Sequence, residues 1–496
     1  MFPPEEERPA STSRVMMRNT ALAWGGEVVA KLTSLAFFGV MARQLGEGGL
    51  GDFIFALSLS SLLVLAAGLG TDPLLEREVA RDRSSARDYV RSITGLKVAM
   101  ALVLLLLAAV MLNLRSYAPS SRYAFYLVGA GVMLEHVSKT RYAAFVAYER
   151  MKHMSFSIII QRTVTAGAGV TVMLRGGGLV AASVVFLAGA ALGLVVSEVS
   201  FRRMIRGSGA DRDRRISWAT LVRAGLPIGV SSLLFTLLLK LDAVLVSLLS
   251  GDISNAQVAY FGGAYRVVEA TMFLSWYFAG AITPWIARAG GPAGGDVARG
   301  YEVALKALTA LLLPAAVTFA VLADPIVRLL YGDGYAAAVL PLRLLSAMTV
   351  LYGINYLTST FFIGRNRPGA FGRLLILVVL QNVIFNVALI PAYGAAGAAF
   401  NAALSGGLLA VLGFRKATRV LGRVRTTRAF ISPLLAGTAM AGAMALTSGA
   451  PVISLIVGAT VYPAVLAAAE MLFFPRDFHF WRALTGRIRP AGPSVS

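Results

Sequence analysis

The residues in this sequence with chemistry to do are ionisable groups placed inside long apolar stretches. Glu27 and Lys31 stand four apart in the first stretch, so a helix puts them on one face. Glu135, His136 and Lys139 fall in the fourth, Arg162 in the fifth, Lys240 and Asp242 in the seventh, and Arg266 and Glu269 in the eighth. An ionised group at the centre of a lipid-bound helix costs about 2.5–3.5 kcal/mol on insertion scales, so it faces a partner or a water-filled cavity. Two chemistries follow. The cations Lys31, Arg162, Lys240 and Arg266 suit an anionic headgroup in a polar, net-basic cavity. The carboxylates Glu27, Glu135, Asp242 and Glu269 suit H⁺ or Na⁺, because a carboxylate's proton affinity responds to burial and to a cation that comes and goes. The plainer reading of each is an intramembrane ion pair that fastens helices together.

Depth narrows the partners. At 1.5 Å per residue, Asp242 and Arg266 lie ~12 and ~14 Å from one surface, Lys31 and Glu135 both ~18 Å from the other, and Glu27 and Arg162 both ~12 Å from it. Matching depths pairs Asp242 with Arg266, Lys31 with Glu135, and Glu27 with Arg162, and makes Asp242 the first candidate for ion coupling. Lys97, Arg141 and Arg343 sit near the ends of their stretches and are expected to snorkel. Uncharged polar residues thicken the later stretches: Asn355, Tyr356, Gln381, Asn382 and Asn386. Inter-helix hydrogen bonding, worth about 0.6 kcal/mol each, accounts for them; Asn355, Tyr356, Asn382 and Asn386 would also serve sugar hydroxyls in a cavity. The three histidines lie far apart, which argues against a His-rich metal site. No GxxxxGK[ST] occurs, so no nucleotide site or nucleotide partner is expected, and with no cysteine there is no disulfide.

The elements that position these groups are apolar helices. Of the 496 residues, 57% are hydrophobic and 14% charged, with a mean hydropathy of +0.71, a balance a soluble chain could not expose. A crossing takes about 20 apolar residues. On that measure the chain reads as all-α and polytopic, with about fourteen transmembrane helices near 20–42, 51–71, 93–113, 123–146, 155–174, 179–200, 225–249, 258–286, 303–323, 338–362, 371–391, 395–414, 430–447 and 452–473. Only Arg175 to Gly178 separates the fifth and sixth, a tight helical hairpin.

Arginine and lysine crowd alternate gaps: Arg77 to Arg91, Arg150 and Lys152, Arg202 to Arg223, Arg288 to Lys306, Arg365 to Arg373, Arg415 to Arg428, and Arg476 onward. The other gaps hold only Arg43, Arg115, Arg122, Arg175 and Arg328. The positive-inside rule makes the crowded side cytoplasmic, with both termini there, in the cytoplasmic (inner) membrane. It also explains the formal charge of +21 without nucleic acid, since the basic residues sit in short gaps and form no groove-sized patch. The opening residues MFPPEEERPASTS read as a polar tail with no apolar leader segment. Pro227, Pro284, Pro314 and Pro391 should mark kinks or ends of spans, and the small residues Gly437, Ala441 and Ala445 a close helix contact. The chain also looks doubled: superposing Gly46 on Gly251 brings Arg18 onto Arg223, a six-helix repeat of the kind that places a transporter's site near mid-membrane.

The segments ARQLGEGGLGDFIFALSLSSLL and GLGTDPLLEREVAR, with LKLDAVLVSLLSGDISNAQVAYFGGAYRVVE and IVRLLYGDGYAAAVLPLRLLS in the second half, resemble the polysaccharide transporters. These are the Wzx-type oligosaccharide-lipid flippases of the multidrug/oligosaccharidyl-lipid/polysaccharide (MOP) exporter superfamily. The resemblance spans roughly residues 15–475 through loose motifs of glycine, apolar and a few charged positions. It implies two six-helix lobes around a central cavity plus two C-terminal helices. The domains expected are a polar tail (1–14), a first lobe (15–207), a basic cytoplasmic linker (208–224), a second lobe (225–416), two additional helices (417–475) and a cytoplasmic tail (476–496). It implies movement of undecaprenyl-diphosphate-linked oligosaccharide from the inner to the outer leaflet by alternating access, for cell-surface polysaccharide export. The partners are then the lipid-linked oligosaccharide, membrane lipid, and polysaccharide polymerase and assembly proteins. A multidrug or cation antiporter, or the peptidoglycan-precursor (lipid II) flippase, are alternatives in the same superfamily. An antiporter would concentrate carboxylates in one lobe, whereas cations here spread over both halves. A membrane glycosyltransferase or ligase would need acidic or histidine catalysts in sizeable outer loops, so no enzymatic activity is expected; nor is any cofactor beyond a coupling H⁺ or Na⁺.

Overall fold

Helices fill the apolar stretches in the computed structural model of the chain. In order they are α1 (Ala10–Gly68), α2 (Thr71–Arg81), α3 (Ala86–Leu114), α4 (Pro119–Ala147), α5 (Met151–Leu174), α6 (Leu179–Ile205) and α7 (Trp218–Leu249). Then come α8 (Ser254–Arg288), α9 (Gly295–Val321), α10 (Ala323–Tyr331), α11 (Val339–Gly364), α12 (Pro368–Leu421), α13 (Thr426–Leu446) and α14 (Pro451–Phe473). The structure describes residues 10–68, 70–114, 118–206, 216–251, 254–288, 295–365, 368–422, 424 and 426–474. The expected linker arginines Arg212, Arg214 and Arg215 lie outside them, as do both tails and, for its side chain, Glu27. Among the described residues there is no strand, and nine helices are long and apolar enough to cross a membrane. The chain is a multi-pass membrane protein.

Glycine shapes the longest helices. Straight, the 59 residues of α1 would run ~88 Å, against ~30 Å of hydrocarbon. Instead α1 turns at Gly46 (φ 65°) and the 54-residue α12 turns at Gly394 (φ 52°), three residues after Pro391. Only glycine takes such a left-handed φ without strain. Gly251, which the internal doubling places on Gly46, has φ 62° in the joint between α7 and α8. Helix pairs therefore turn on single residues. Of the other expected prolines, Pro314 lies inside α9, and Pro227 and Pro284 lie within the helical spans of α7 and α8.

The chain divides into two compact units. The first comprises Met1–Gly263 with Leu330–Tyr335 and Asn386–Ala398. Here α4 packs on α6 and α1 lies against α4, α5 and α7. Phe37, Phe38 and Phe53 meet edge-on at 5.8–6.4 Å, and Phe186 adds to Phe53 at 5.9 Å. A Cβ at Gly131 would stand 2.7 Å from the Phe186 ring, so glycine is what lets α4 and α6 approach. On the arginine-poor side, Asp52 accepts from Ser121 Oγ (2.6 Å) and Asn255 Nδ2 (2.8 Å), and Glu47 accepts from the Tyr260 hydroxyl. On the arginine-rich side a second core joins Leu75 and Val79 of α2 to Ile93, Phe145, Phe201 and Leu221.

The second unit comprises Ala264–Leu329, Ala336–Phe385 and Ala399–Ser496. Its α9 packs on α11 and α13, and α13 pairs with α14. Of the expected small-residue face, Gly437 sits on Leu313 of α9, Ala441 is half-buried and Ala445 is exposed. Tyr462 of α14 donates to the Ala310 carbonyl at 2.8 Å, and Lys306 of α9 bonds Glu470 at 2.6 Å with both side chains almost wholly buried. The trailing helices are bound into this unit by buried polar contacts. Large apolar side chains point outward in both units, among them Leu106, Leu107 and Val110 of α3 and Leu380 and Ile384 of α12, as a lipid-facing surface requires.

Candidate functional site

In the first unit, α4 and α5 bring several mid-span charges together. Glu135 accepts from Gln161 Nε2 at 2.6 Å and meets Arg162 at 3.9 Å. Lys139, one turn along α4 from Glu135, is exposed. The Arg162 side chain is 43% exposed although it stands near the middle of a 24-residue helix. Depth matching had assigned Arg162 to Glu27; its carboxylate in the structure is Glu135. Lys31 on α1 and Lys240 on α7 are half-buried in the same unit.

Two further networks reach deeper. Lys97 of α3, at 1% exposure, places Nζ 2.5 Å from Asp72 Oδ1 and 3.4 Å from the His136 carbonyl. Arg141 of α4 donates to Glu198 Oε2 (2.9 Å), to Thr94 Oγ1 (2.9 Å) and to the Val137 carbonyl (3.0 Å). Neither residue snorkels, contrary to the reading from position alone: each has buried acceptors within reach, which outweighs the pull of the interface. Arg343 is exposed, as snorkelling requires.

Asp242 is 2% exposed and accepts from Asn386 Nδ2 at 2.7 Å. In the second unit, Arg266 bonds Glu269 one turn along α8 at 3.0 Å. The uncharged polar residues mostly tie helices. Asn355 donates to the Gly406 carbonyl (2.9 Å), and Asn382 donates to Ser405 Oγ (3.2 Å) while its carbonyl accepts from Asn401 (2.7 Å). Gln381 donates to Asn401 Oδ1 at 2.9 Å. Tyr356 stacks on Tyr352 at 5.9 Å. Asn382 and Asn386 are fully buried, Asn355 is 3% exposed, and Tyr356 is half-buried. Among the described residues no three His, Asp or Glu side chains are grouped to hold a metal.

Three participants were missed from the sequence: Asp72, Glu76 and Glu198. They lie at the ends of apolar stretches or in a gap, where a carboxylate reads as solvated. A signal was present for two of them. Asp72, Leu75, Glu76 and Val79 recur at the spacing of one helix face, and Leu75 and Val79 mark that face as buried.

Comparison with known proteins places this arrangement. Residues 16–289 match the model of a family described as polysaccharide biosynthesis protein. A probable low-salt glycan biosynthesis flippase of Haloferax volcanii, Agl15, is 23% identical over 379 residues, covering 75% of this chain and 77% of that protein. The fold is similar to that of the lipid II flippase MurJ in an inward closed conformation (TM-score 0.72, 13% identity, 91% of this chain and 99% of the other). It is also similar to an inward-facing multidrug resistance MATE transporter of the MOP superfamily (TM-score 0.64, 18% identity, 79% of this chain and 94% of the other). The family match takes in more than half the chain and contains both α4 and α5, so the helices carrying the exposed mid-span cations are family helices: the chain belongs to the polysaccharide biosynthesis protein family, and its fold is similar to those of the MurJ and MATE structures.

Proposed function

We propose that the protein is a flippase that moves undecaprenyl-diphosphate-linked oligosaccharide from the inner to the outer leaflet of the cytoplasmic membrane, by alternating access, for cell-surface polysaccharide export. Arg162 carries the reading. A guanidinium nearly half exposed at mid-span cannot face lipid without a cost of several kcal/mol, so the surface it lines with Lys139 is wet. A wet, net-basic surface suits a diphosphate, whose passage out of bulk water needs compensating charge. Lys31, Lys240 and Arg266 extend the cationic set, and Tyr356 with the asparagines offers hydroxyl-binding groups. The Haloferax relative, a probable low-salt glycan biosynthesis flippase, supports this class of cargo.

The arginine-rich side is then cytoplasmic, with both termini on it and fourteen crossings in all. No nucleotide motif is present, so the drive comes from an ion gradient or from consumption of product outside; polysaccharide polymerase and assembly proteins are the partners at that step. Asp242 is the first candidate for binding H⁺ or Na⁺, ahead of Glu27, Glu135 and Glu269. The chain acts as a carrier without enzymatic activity.

Alanine at Arg162, Lys139, Lys31, Lys240 or Arg266 tests the reading. Each loss of a charge-assisted contact should lower glycan export by roughly ten-fold or more while membrane levels stay normal. Normal export by all five variants would overturn it. Undiminished glycan export with lost lipid II or drug movement would move the protein to another branch of the superfamily.

A further inference from the structure

Helix α2 carries two carboxylates on the face it buries. Asp72 and Glu76 flank Leu75 and Val79, both fully buried, and α3 brings one ammonium to that face, Lys97 on Asp72. The arginines of α2 are turned elsewhere: Arg77 and Arg81 lie on its exposed flank and meet Glu78 at 2.8 and 3.8 Å. Among the described residues Glu76 makes no ion pair or hydrogen bond.

The other charged groups on the elements packed against α2 do not supply a counter-charge. On α4, Lys139 and Arg141 stand around Lys97, with His136 beside it. On α3, Arg87 and Arg91 are exposed, Asp88 is buried, and Tyr89 lies near Glu78 and Arg77; of the charged groups around Glu76, only Asp72 acts on it. Helix α7 has only Arg223, exposed, before Lys240. In the turn after α2, Asp82 accepts from the Ser84 backbone N–H at 3.0 Å, and Arg83 lies over the Tyr148 ring at 5.5 Å. Lys97 therefore pairs with Asp72, and Glu76, half-buried next to that carboxylate, has no close cation of its own.

We propose that Asp72 and Glu76 hold one exchangeable proton beside Lys97, with Glu76 as its carrier, making α2 a proton-binding element at the arginine-rich end of the first unit. Burial, and after it the charge of Asp72, pushes Glu76 up to about 7. The folded protein then keeps a proton that the unfolded chain releases near its ordinary value of 4.5. The resulting stabilisation is complete below about pH 4.5 and is lost as pH climbs to about 7. With the proton bound, Asp72 and Lys97 balance and α2 stays docked at its Gly70 corner (φ 71°), which abuts Gly225 and Gly229 of α7. With the proton gone, an uncompensated carboxylate draws that face of α2 toward water. Any link to cargo movement rests on the flippase reading above.

Infrared spectra of the whole protein in lipid nanodiscs test the site without transport. Wild type should gain a protonated-carboxyl C=O band as pH falls through about 7; Glu76→Gln should lack it, and Asp72→Asn should titrate at lower pH because the repulsion is gone. Melting should parallel this: wild type loses stability between about pH 5 and pH 7, and Glu76→Gln does not. A band that survives Glu76→Gln, a midpoint unmoved by Asp72→Asn, or parallel melting curves would each overturn the proposal. In liposomes, Glu76→Gln should transport at a rate indifferent to pH between about 6 and 8 on the α2 side; a response equal to wild type ends the link to transport. If wild type moves no lipid-linked glycan, the flippase reading fails while the infrared result still decides the proton.

Discussion

Arg141 shows what lets a guanidinium leave water inside a bilayer: three acceptors arrive with it, from α3, α4 and α6. Removing one side of such a pair costs more than the pair contributes, because the other charge stays behind. Arg141→Met should therefore destabilise the protein by roughly 3 kcal/mol, read as a lower melting temperature in detergent. Arg202→Met should cost far less, because that side chain is 72% exposed and its bond to Glu198 is screened. At this scale the sequence was legible for the asparagines that tie helices, but depth put Glu135 with Lys31 and Arg162 with Glu27 and missed the approach of Glu135 to Arg162. It was not legible for Lys97. Position along a helix gives depth, but direction around the axis and the reach of a neighbour such as Asp72 decide whether a charge turns outward or in.

At the scale of elements, the joints carry the architecture. Gly46 has open space where a Cβ would go, so its only constraint is the left-handed φ; Gly48 has open space too, without that constraint. Gly46→Ala should cost roughly 1–2 kcal/mol, whereas Gly48→Ala should be neutral or stabilising by about 0.5–1 kcal/mol. Melting curves of the two variants distinguish a required backbone shape from a mere small residue. The joints were visible in the sequence as short gaps with glycine between apolar stretches, because apolar length fixes where a crossing must stop. The merging of two crossings into one continuous helix was not visible, since Gly46 and Gly48 differ in torsion and not in kind. Helix α2 was hidden for a related reason: its eleven residues are too short for hydropathy to flag, and its buried face shows only when Asp72 and Glu76 are counted with Leu75 and Val79.

For the whole molecule, the asymmetry of arginine predicts sidedness, and the complete lack of cysteine makes that easy to measure. A single introduced cysteine reports alone. Arg212→Cys should be labelled by a membrane-impermeant maleimide only from the cytoplasmic side, and Gly176→Cys only from outside; the reverse pattern would invert the topology. The joints at Gly46 and Gly394 bear as well on how the chain is made. With no loop between them, the second half of α1 emerges from the ribosome while the first still occupies the translocation channel. The two halves must enter lipid as a hairpin. Lys31 alone would burden the first half by about 2.5–3.5 kcal/mol on insertion, and the apolar run from Phe53 to Ala67 shares that cost only if both halves partition together. A nascent chain arrested before Gly46 would be weakly held, and one arrested past Gly68 firmly anchored.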